Sequence, residues 1–337
     1  MLQLNQPIAS SHVGSFPLPF NQQNVARALH DMMQIGVTYP PYPQLRDFVS
    51  TFMHSLVKKG ILQPVSGAFI VKDLRAFEEL HKLEVSPPEE AVQSIRQASG
   101  YPLRAPLTGP VTIASEMYLS SDLSQKSWLL ARKDLVLGPL AEYLAKYAES
   151  FAKLGYHFLV VDEPSLVVIL GKRISMYGYK QDEIAEAINK VLKRASTSLK
   201  GIHICGILPP QLKDILFSLD EVEIYDHETF DTPKNLDFYT RRELEEHDKY
   251  LAIGVVSSKT PKVEDFKEAL KFAEKAVERF GDRVVMVKPD CGFFGLKWVY
   301  GSKGEMVIDV EAGYSAALSK LRVVQSIALE LSKRLAH

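Results

Sequence analysis

The chain has 337 residues, 46% of them apolar and 24% charged, with a formal net charge of −1. That balance is ordinary for a globular protein, and it supplies no long-range field to draw in nucleic acid or an anionic membrane, so neither is expected as a partner. Two cysteines in this length do not make a disulfide framework, and a single bond between them is the bland alternative to a metal site.

The first residues, Met1-Leu2-Gln3-Leu4-Asn5-Gln6-Pro7, carry no basic region followed by an apolar core, so a signal peptide is not expected. No apolar run approaches the length needed to cross a bilayer. A cytoplasmic enzyme is the expectation.

Eight short apolar runs read as strands: Ile8–Val13, Ala68–Val71, Leu103–Leu107, Phe158–Val161, Gly201–Ile204, Val222–Tyr225, Leu251–Val256 and Val284–Val287. Segments of helical period separate them. One runs through Leu140, Leu144, Tyr147, Phe151 and Leu154 and stops at Gly155. Others cover Val263 to Phe280 and Leu318 through Leu331 to the C-terminus. Alternation of strand and helix implies parallel strands, and eight of them can close a barrel. A single (β/α)8 TIM barrel over residues 1–337 is therefore expected. An open doubly wound sheet competes, but no G-x-G-x-x-G follows the first strand.

Chemistry-bearing residues gather at the C-terminal ends of these strands. They are Gly14-Ser15, Asp73, Thr108-Gly109-Pro110, Asp162-Glu163-Pro164, His203 with Cys205, His227-Glu228, Lys259 and Asp290-Cys291. Barrel enzymes build their sites on that face. His203 and Cys205 are two residues apart on an extended segment, so their side chains point the same way. An imidazole and a thiolate so placed suit one zinc ion, with Cys291 as a further sulfur donor.

The motifs Val13-Gly14-Ser15-Phe16-Pro17, Leu107-Thr108-Gly109-Pro110-Val111-Thr112, Val161-Asp162-Glu163-Pro164, His203-Ile204-Cys205, His227-Glu228 and Pro289-Asp290-Cys291-Gly292 occur in this order. Together they resemble the C-terminal catalytic barrel of cobalamin-independent methionine synthase. The resemblance covers nearly the whole chain, without the family's second, N-terminal barrel. It implies Zn2+ held by His203, Cys205, Glu228 and Cys291, and methyl transfer to the thiol of homocysteine. Zinc makes a thiol reactive at neutral pH by lowering its pKa. Glu228, the hardest donor of the four, is the ligand expected to yield to substrate. Glu223 is a fallback ligand, and His227 a competing one or a neighbour in the barrel wall. The resemblance also implies that Asp162 contacts the substrate amine and that Gly14 and Ser15 offer donors to its carboxylate.

Two places depart from the family pattern. The stretch Tyr39-Pro40-Pro41-Tyr42-Pro43-Gln44-Leu45-Arg46-Asp47 lacks the family's second acidic contact, leaving Gln44 as a neutral substitute. Lys259 stands where a proton-supplying His is expected. It is either an acid of depressed pKa or a binder of an anionic donor group. The donor is methyltetrahydrofolate or a methylcobalamin/corrinoid protein, the latter needing no proton on its leaving group. Another thiol of the coenzyme M kind, or a uroporphyrinogen-decarboxylase-like barrel, are the alternative readings.

Overall fold

A computed structural model describes residues 4, 6–98, 100–124, 126–170, 177–300 and 306–335. Met1–Gln3 and Asn5, part of the leader reading, lie outside the described residues, as do the last two residues of the expected C-terminal helix. Seven strands form one parallel sheet: β1 (Ala9–Ser10), β2 (Arg104–Thr108), β3 (Phe158–Asp162), β4 (Leu199–Ile204), β5 (Ile224–His227), β6 (Tyr250–Val256) and β7 (Val284–Pro289). Their order is β1-β7-β6-β5-β4-β3-β2. Apart from the place of β1, neighbours in sequence are neighbours in space, as helical crossovers between parallel strands require.

The two edges, β1 and β2, curl toward each other around Tyr39–Gln44. Ser11 bridges Tyr39, Ser15 bridges Gln44, and Pro41 bridges Arg104, all in parallel sense. Tyr39 N–H donates to Ser10 O (3.0 Å), Arg104 N–H to Pro40 O (3.0 Å) and Gln44 N–H to Gly14 O (3.0 Å). A regular strand does not form here because Pro40, Pro41 and Pro43 have no N–H for a ladder.

The expectation that Ala68–Val71 is a barrel strand is corrected. It is a strand, but it pairs antiparallel with Leu62–Val65 and parallel with Met117–Tyr118 in a separate three-stranded sheet. Ser66 (φ 44°) and Gly67 (φ 83°) make a two-residue turn of the kind that closes tight hairpins. That local turn takes the strand away from the main sheet. Asp73 after it caps the helix Leu74–Glu78, its carboxylate accepting from Ala76 N–H at 2.9 Å, and belongs to no site. The other boundary of note is β5, which begins and ends two residues later than Val222–Tyr225. His227 is thereby its last residue and Glu228 follows at once.

Alternation along the strands separates two layers. Leu159, Val161, Ile202, Ile204, Tyr225 and Ile253 pack outward into the main core beneath the helices. Phe158, Val160, Leu199, Ile224, Ala252 and Met286 form a separate cluster inside the curl. Polar residues of the same parity continue that inner face toward the C-terminal rim: Asp162, His203, Asp226, Lys288 and Asp290. All five are buried.

Helices cover the outside. Ala141–Leu154 follows a π-helical turn, Val136–Leu140, and stops at Gly155 (φ 94°), where the left-handed conformation favours glycine. Phe266–Phe280 starts after Asp265, whose carboxylate accepts from two first-turn N–H groups. Among the described residues no helix is long and apolar enough to cross a membrane.

Gly254 on β6 lies against Asp290, and a Cβ there would overlap the Asp290 carboxylate and crowd its backbone. Gly254→Ala is expected to cost about 1–3 kcal/mol, as overpacking of a filled interior does. Denaturant unfolding checks this; an unchanged midpoint would contradict it.

Candidate metal centre

Register brings the inner residues of three strands into one row. Asp162 of β3 pairs with His203 of β4, and His203 pairs with Asp226 of β5. Cys205 lies two residues beyond His203, and Cys291 two beyond the end of β7, so both thiols reach the same rim. One ligand atom each from His203, Cys205 and Cys291 lies within 4.8 Å of the other two. Cys291 Sγ is 3.6 Å from His203 Nε2. Both cysteines are free.

His203 is fixed from behind. Its Nδ1 donates to Asp226 Oδ1 at 2.7 Å, which leaves Nε2 directed at the thiols. Asp226 also meets Lys288 Nζ (2.8 Å) and Arg104 Nη1 (2.8 Å), and all three side chains are fully buried. Burial opposes ionisation of Asp226, but Lys288, His203 and Arg104 outweigh it and hold the carboxyl well below its usual range. Burial likewise opposes charge on His203, yet Asp226 outweighs it and pushes the imidazole up to about 9. A metal ion at Nε2 competes with that proton. The two thiols diverge: the hydrogen bond from Cys291 favours a thiolate on Cys205, whereas Cys291 itself is pushed up by its partner and by burial.

Arg104, Asp226 and Lys288 escaped the sequence reading. The available signal was a charged residue inside each apolar strand run, at the parity of His203: Leu103-Arg104-Ala105, Tyr225-Asp226-His227 and Val287-Lys288-Pro289.

Next to the trio is a cavity of about 290 Å³ lined by Ser15, Gln44, Phe48, Asp162, Cys205 and Phe294, among others. This is the lower end of the range for small-molecule pockets. Asp162 Oδ1 and Gln44 Nε2 are buried and have no hydrogen-bond partner. Arg104 Nη2 stands 4.0 Å from Asp162 Oδ1. Burial raises the Asp162 carboxyl to about 7. Its neighbour Glu163 turns away and accepts from Val111 N–H, Thr112 N–H and the Thr112 hydroxyl, tying down the helix Pro110–Ser115. Gly109 is required there, since a Cβ would overlap the Glu163 carboxylate.

Ser15, which follows Gly14 (φ 141°), lines the same cavity. Ser15 Oγ accepts from Phe294 N–H at 3.3 Å, which leaves its own proton to donate. Gln44 is held beside them through its backbone bond to Gly14.

Glu228 stands apart from the trio and groups instead with Asp231 and Asp290. Its Oε1 accepts from Lys259 Nζ (2.6 Å) and the Thr232 hydroxyl (2.6 Å), and its Oε2 from Gly206 N–H (3.1 Å). Asp290 accepts three backbone N–H groups, from Thr229, Phe230 and Asp231, and so fixes the loop that carries Glu228's neighbours. Lys259 is mostly exposed. Partial burial works against its charge, but the Glu228 carboxylate wins and its pKa rises. The reading of Lys259 as an acid of depressed pKa is thereby corrected.

His227 is a wall residue. Its Nδ1 donates to Ile204 O (3.2 Å) and its Nε2 accepts from the Tyr239 hydroxyl (2.9 Å). Glu223 precedes β5, at the other end of the sheet, where its carboxylate accepts from Lys200 N–H. Neither reaches the trio.

Residues 64–307 match the family described as the catalytic domain of cobalamin-independent synthase. The chain belongs to this family. By that membership it is a methyltransferase, and the decarboxylase-like alternative falls away. It is similar to a methionine synthase of Methanocaldococcus jannaschii, 24% identical over 283 residues, covering 80% of each chain. A methionine synthase of Thermococcus kodakarensis is 24% identical over 238 residues, covering 68% of this chain and 59% of that one. Among solved structures, a B12-independent methionine synthase from Shewanella sp. W3-18-1 in complex with selenomethionine superposes with a TM-score of 0.67 at 14% identity, covering 98% and 99% of the two chains. A methyltransferase from Methanosarcina mazei gives 0.62 at 17% identity, covering 98% and 95%. These two likenesses show a shared fold.

Replacing Asp226 by Asn leaves Arg104 and Lys288 buried without their counter-ion. We expect a loss of about 3–5 kcal/mol in unfolding free energy; a loss under about 1 kcal/mol would contradict the role given to this carboxylate. Asp162 gives a prediction with a sign. Its folded pKa, about 7, lies above the ordinary carboxylate value, so its favourable contribution is complete at acid pH and is lost as pH rises through about 7. In the metal-free protein, Asp162→Asn should therefore gain stability relative to wild type between about pH 4 and 8, and parallel melting curves would refute this.

Proposed function

We propose that the chain is a zinc-dependent methyltransferase that methylates the thiol of homocysteine to give methionine. The observation that supports it best is the meeting of His203, Cys205 and Cys291 within 4.8 Å, beside a small cavity that holds Asp162. The donor set fits zinc by chemistry and by size. Tetrahedral zinc with Zn–S of about 2.3 Å and Zn–N of about 2.0–2.1 Å sets an S···N edge of about 3.6 Å, and Cys291 Sγ and His203 Nε2 are 3.6 Å apart. The hydrogen bond from His203 Nδ1 to Asp226 is the support expected behind a metal-ligating imidazole.

Zinc held by these three side chains would lower the pKa of an incoming thiol and keep it reactive at neutral pH. Glu228, held through Oε2 by the N–H of Gly206 next to Cys205, is the fourth, replaceable ligand in this reading. The rest of the work belongs to the pocket. Asp162, whose side chain lines the cavity, accepts the substrate ammonium, and that charge would draw its pKa down. Ser15 donates its hydroxyl proton to the substrate carboxylate, with the Gly14 backbone shaping the lip. Gln44 lines the same space as a neutral side chain. Phe48 and Phe294 keep water from the reacting sulfur. During transfer the methyl carbon leaves the donor with its bond electrons left behind, and a sulfur lone pair forms the new S–C bond. The donor is methyltetrahydrofolate or a methylcobalamin/corrinoid protein. Lys259, fully charged, suits an electrostatic part and not that of a neutral-pH acid.

About one zinc per chain is expected by elemental analysis, with most of it lost in Cys291→Ser. Purified protein with homocysteine should form methionine from one of the two donors, and Cys291→Ser should lower the rate by at least about a hundredfold. Methylation of a coenzyme M-like thiol in preference to homocysteine would overturn the substrate assignment; a zinc-free, fully active protein would overturn the mechanism.

A further inference from the structure

Glu228 and Lys259 form a pair with a built geometry. The carboxylate is buried, and each oxygen is engaged: Oε1 by Lys259 Nζ and the Thr232 hydroxyl, Oε2 by Gly206 N–H. The backbone is pinned as well, since Asn235 Nδ2 donates both to Glu228 O (2.7 Å) and to Gly206 O (2.8 Å). Gly206 directly follows Cys205, so this resting place adjoins the metal trio. The lysine is equally prepared. Its N–H donates to Ser257 Oγ (3.1 Å), and Ser257 Oγ donates to Asp231 Oδ2 (2.8 Å). Ser257 N–H donates to Glu264 Oε1 (3.0 Å), and Glu264 is ion-paired with the buried Lys320 of the C-terminal helix. Four side chains thus fix the loop that presents a cation to Glu228. A surface lysine with no task needs no such scaffold.

We propose that Lys259 is a positioning residue that receives Glu228 when an incoming thiol takes its place at the metal. The inference rests on the zinc reading above and deepens it. A carboxylate leaving a metal inside a partly dry rim carries a full negative charge and needs a partner at once. Here the partner is in place, at hydrogen-bond distance. Lys259 therefore tilts the exchange toward the state in which Glu228 is off the metal and the fourth position belongs to substrate. Without the lysine, the carboxylate has only the Thr232 hydroxyl and one backbone N–H, and the metal competes better for it.

The test uses cobalt-substituted full-length protein, whose absorption reports both ligand set and thiol coordination, and titrates in homocysteine. Lys259→Met should need about tenfold more thiol for half-saturation, the size of one lost charged hydrogen bond. It should also hold zinc more tightly against a chelator, because Glu228 stays bound. Lys259→Arg should restore most of the thiol response, and Glu228→Gln should make the lysine substitution silent. Superimposable thiol titrations of wild type and Lys259→Met would overturn the proposal while leaving the zinc site intact. Failure of wild type to take up cobalt or zinc would instead overturn the metal reading beneath it.

Discussion

The site depends on one buried carboxylate. Asp226 sits inside the curled sheet with Lys288, Arg104 and His203 around it, each from a different strand. A charge in such a place is tolerated only when it is paired and hydrogen-bonded, and it repays desolvation only if the geometry is held. Held geometry is what the strands supply. Lys288 adds three carbonyl oxygens, of His227, Pro289 and Asp290, as acceptors, so its ammonium is satisfied as well. The outcome is a rigid polar layer above an apolar floor, and it orients the imidazole that faces the two thiols.

The same layering explains why the rim can be reactive. Asp162, Gln44 and Arg104 each keep at least one buried polar atom without a hydrogen-bond partner. Such atoms are costly in a structure that has no use for them. They lie close to the trio, Asp162 and Gln44 in the lining of the same cavity and Arg104 behind Asp162. Glu163 and Asp290 do the opposite: their carboxylates are spent on backbone N–H groups and serve to fix loops. Adjacent acidic residues, Asp162 and Glu163, thus have different tasks because a strand end sends successive side chains to opposite sides.

Much of this was legible in the residues. The H-x-C spacing of His203 and Cys205 forces both side chains to one face of a strand, and strand ends in a parallel sheet share one rim. The strand that failed, Ala68–Val71, failed for a local reason: the Ser66-Gly67 turn folds it back on Leu62–Val65 before it can reach the main sheet. Three prolines disguised the segment that lies between the sheet edges, since Tyr39–Gln44 makes bridges and no ladder.

Sequence by itself determined which chemistry-bearing side chains stand at one rim: one imidazole, two thiols and several acids, each at the end of an apolar run. It determined these because side-chain direction along a strand is a local property with a period of two. Only the tertiary structure decided which charges meet. That Asp226 takes Lys288, Arg104 and His203, and that Glu228 takes Lys259, follows from interstrand register and loop anchoring. Electrostatic pairing falls off over a few ångströms, and residues 31 or 122 positions apart come within that reach only when the sheet is built.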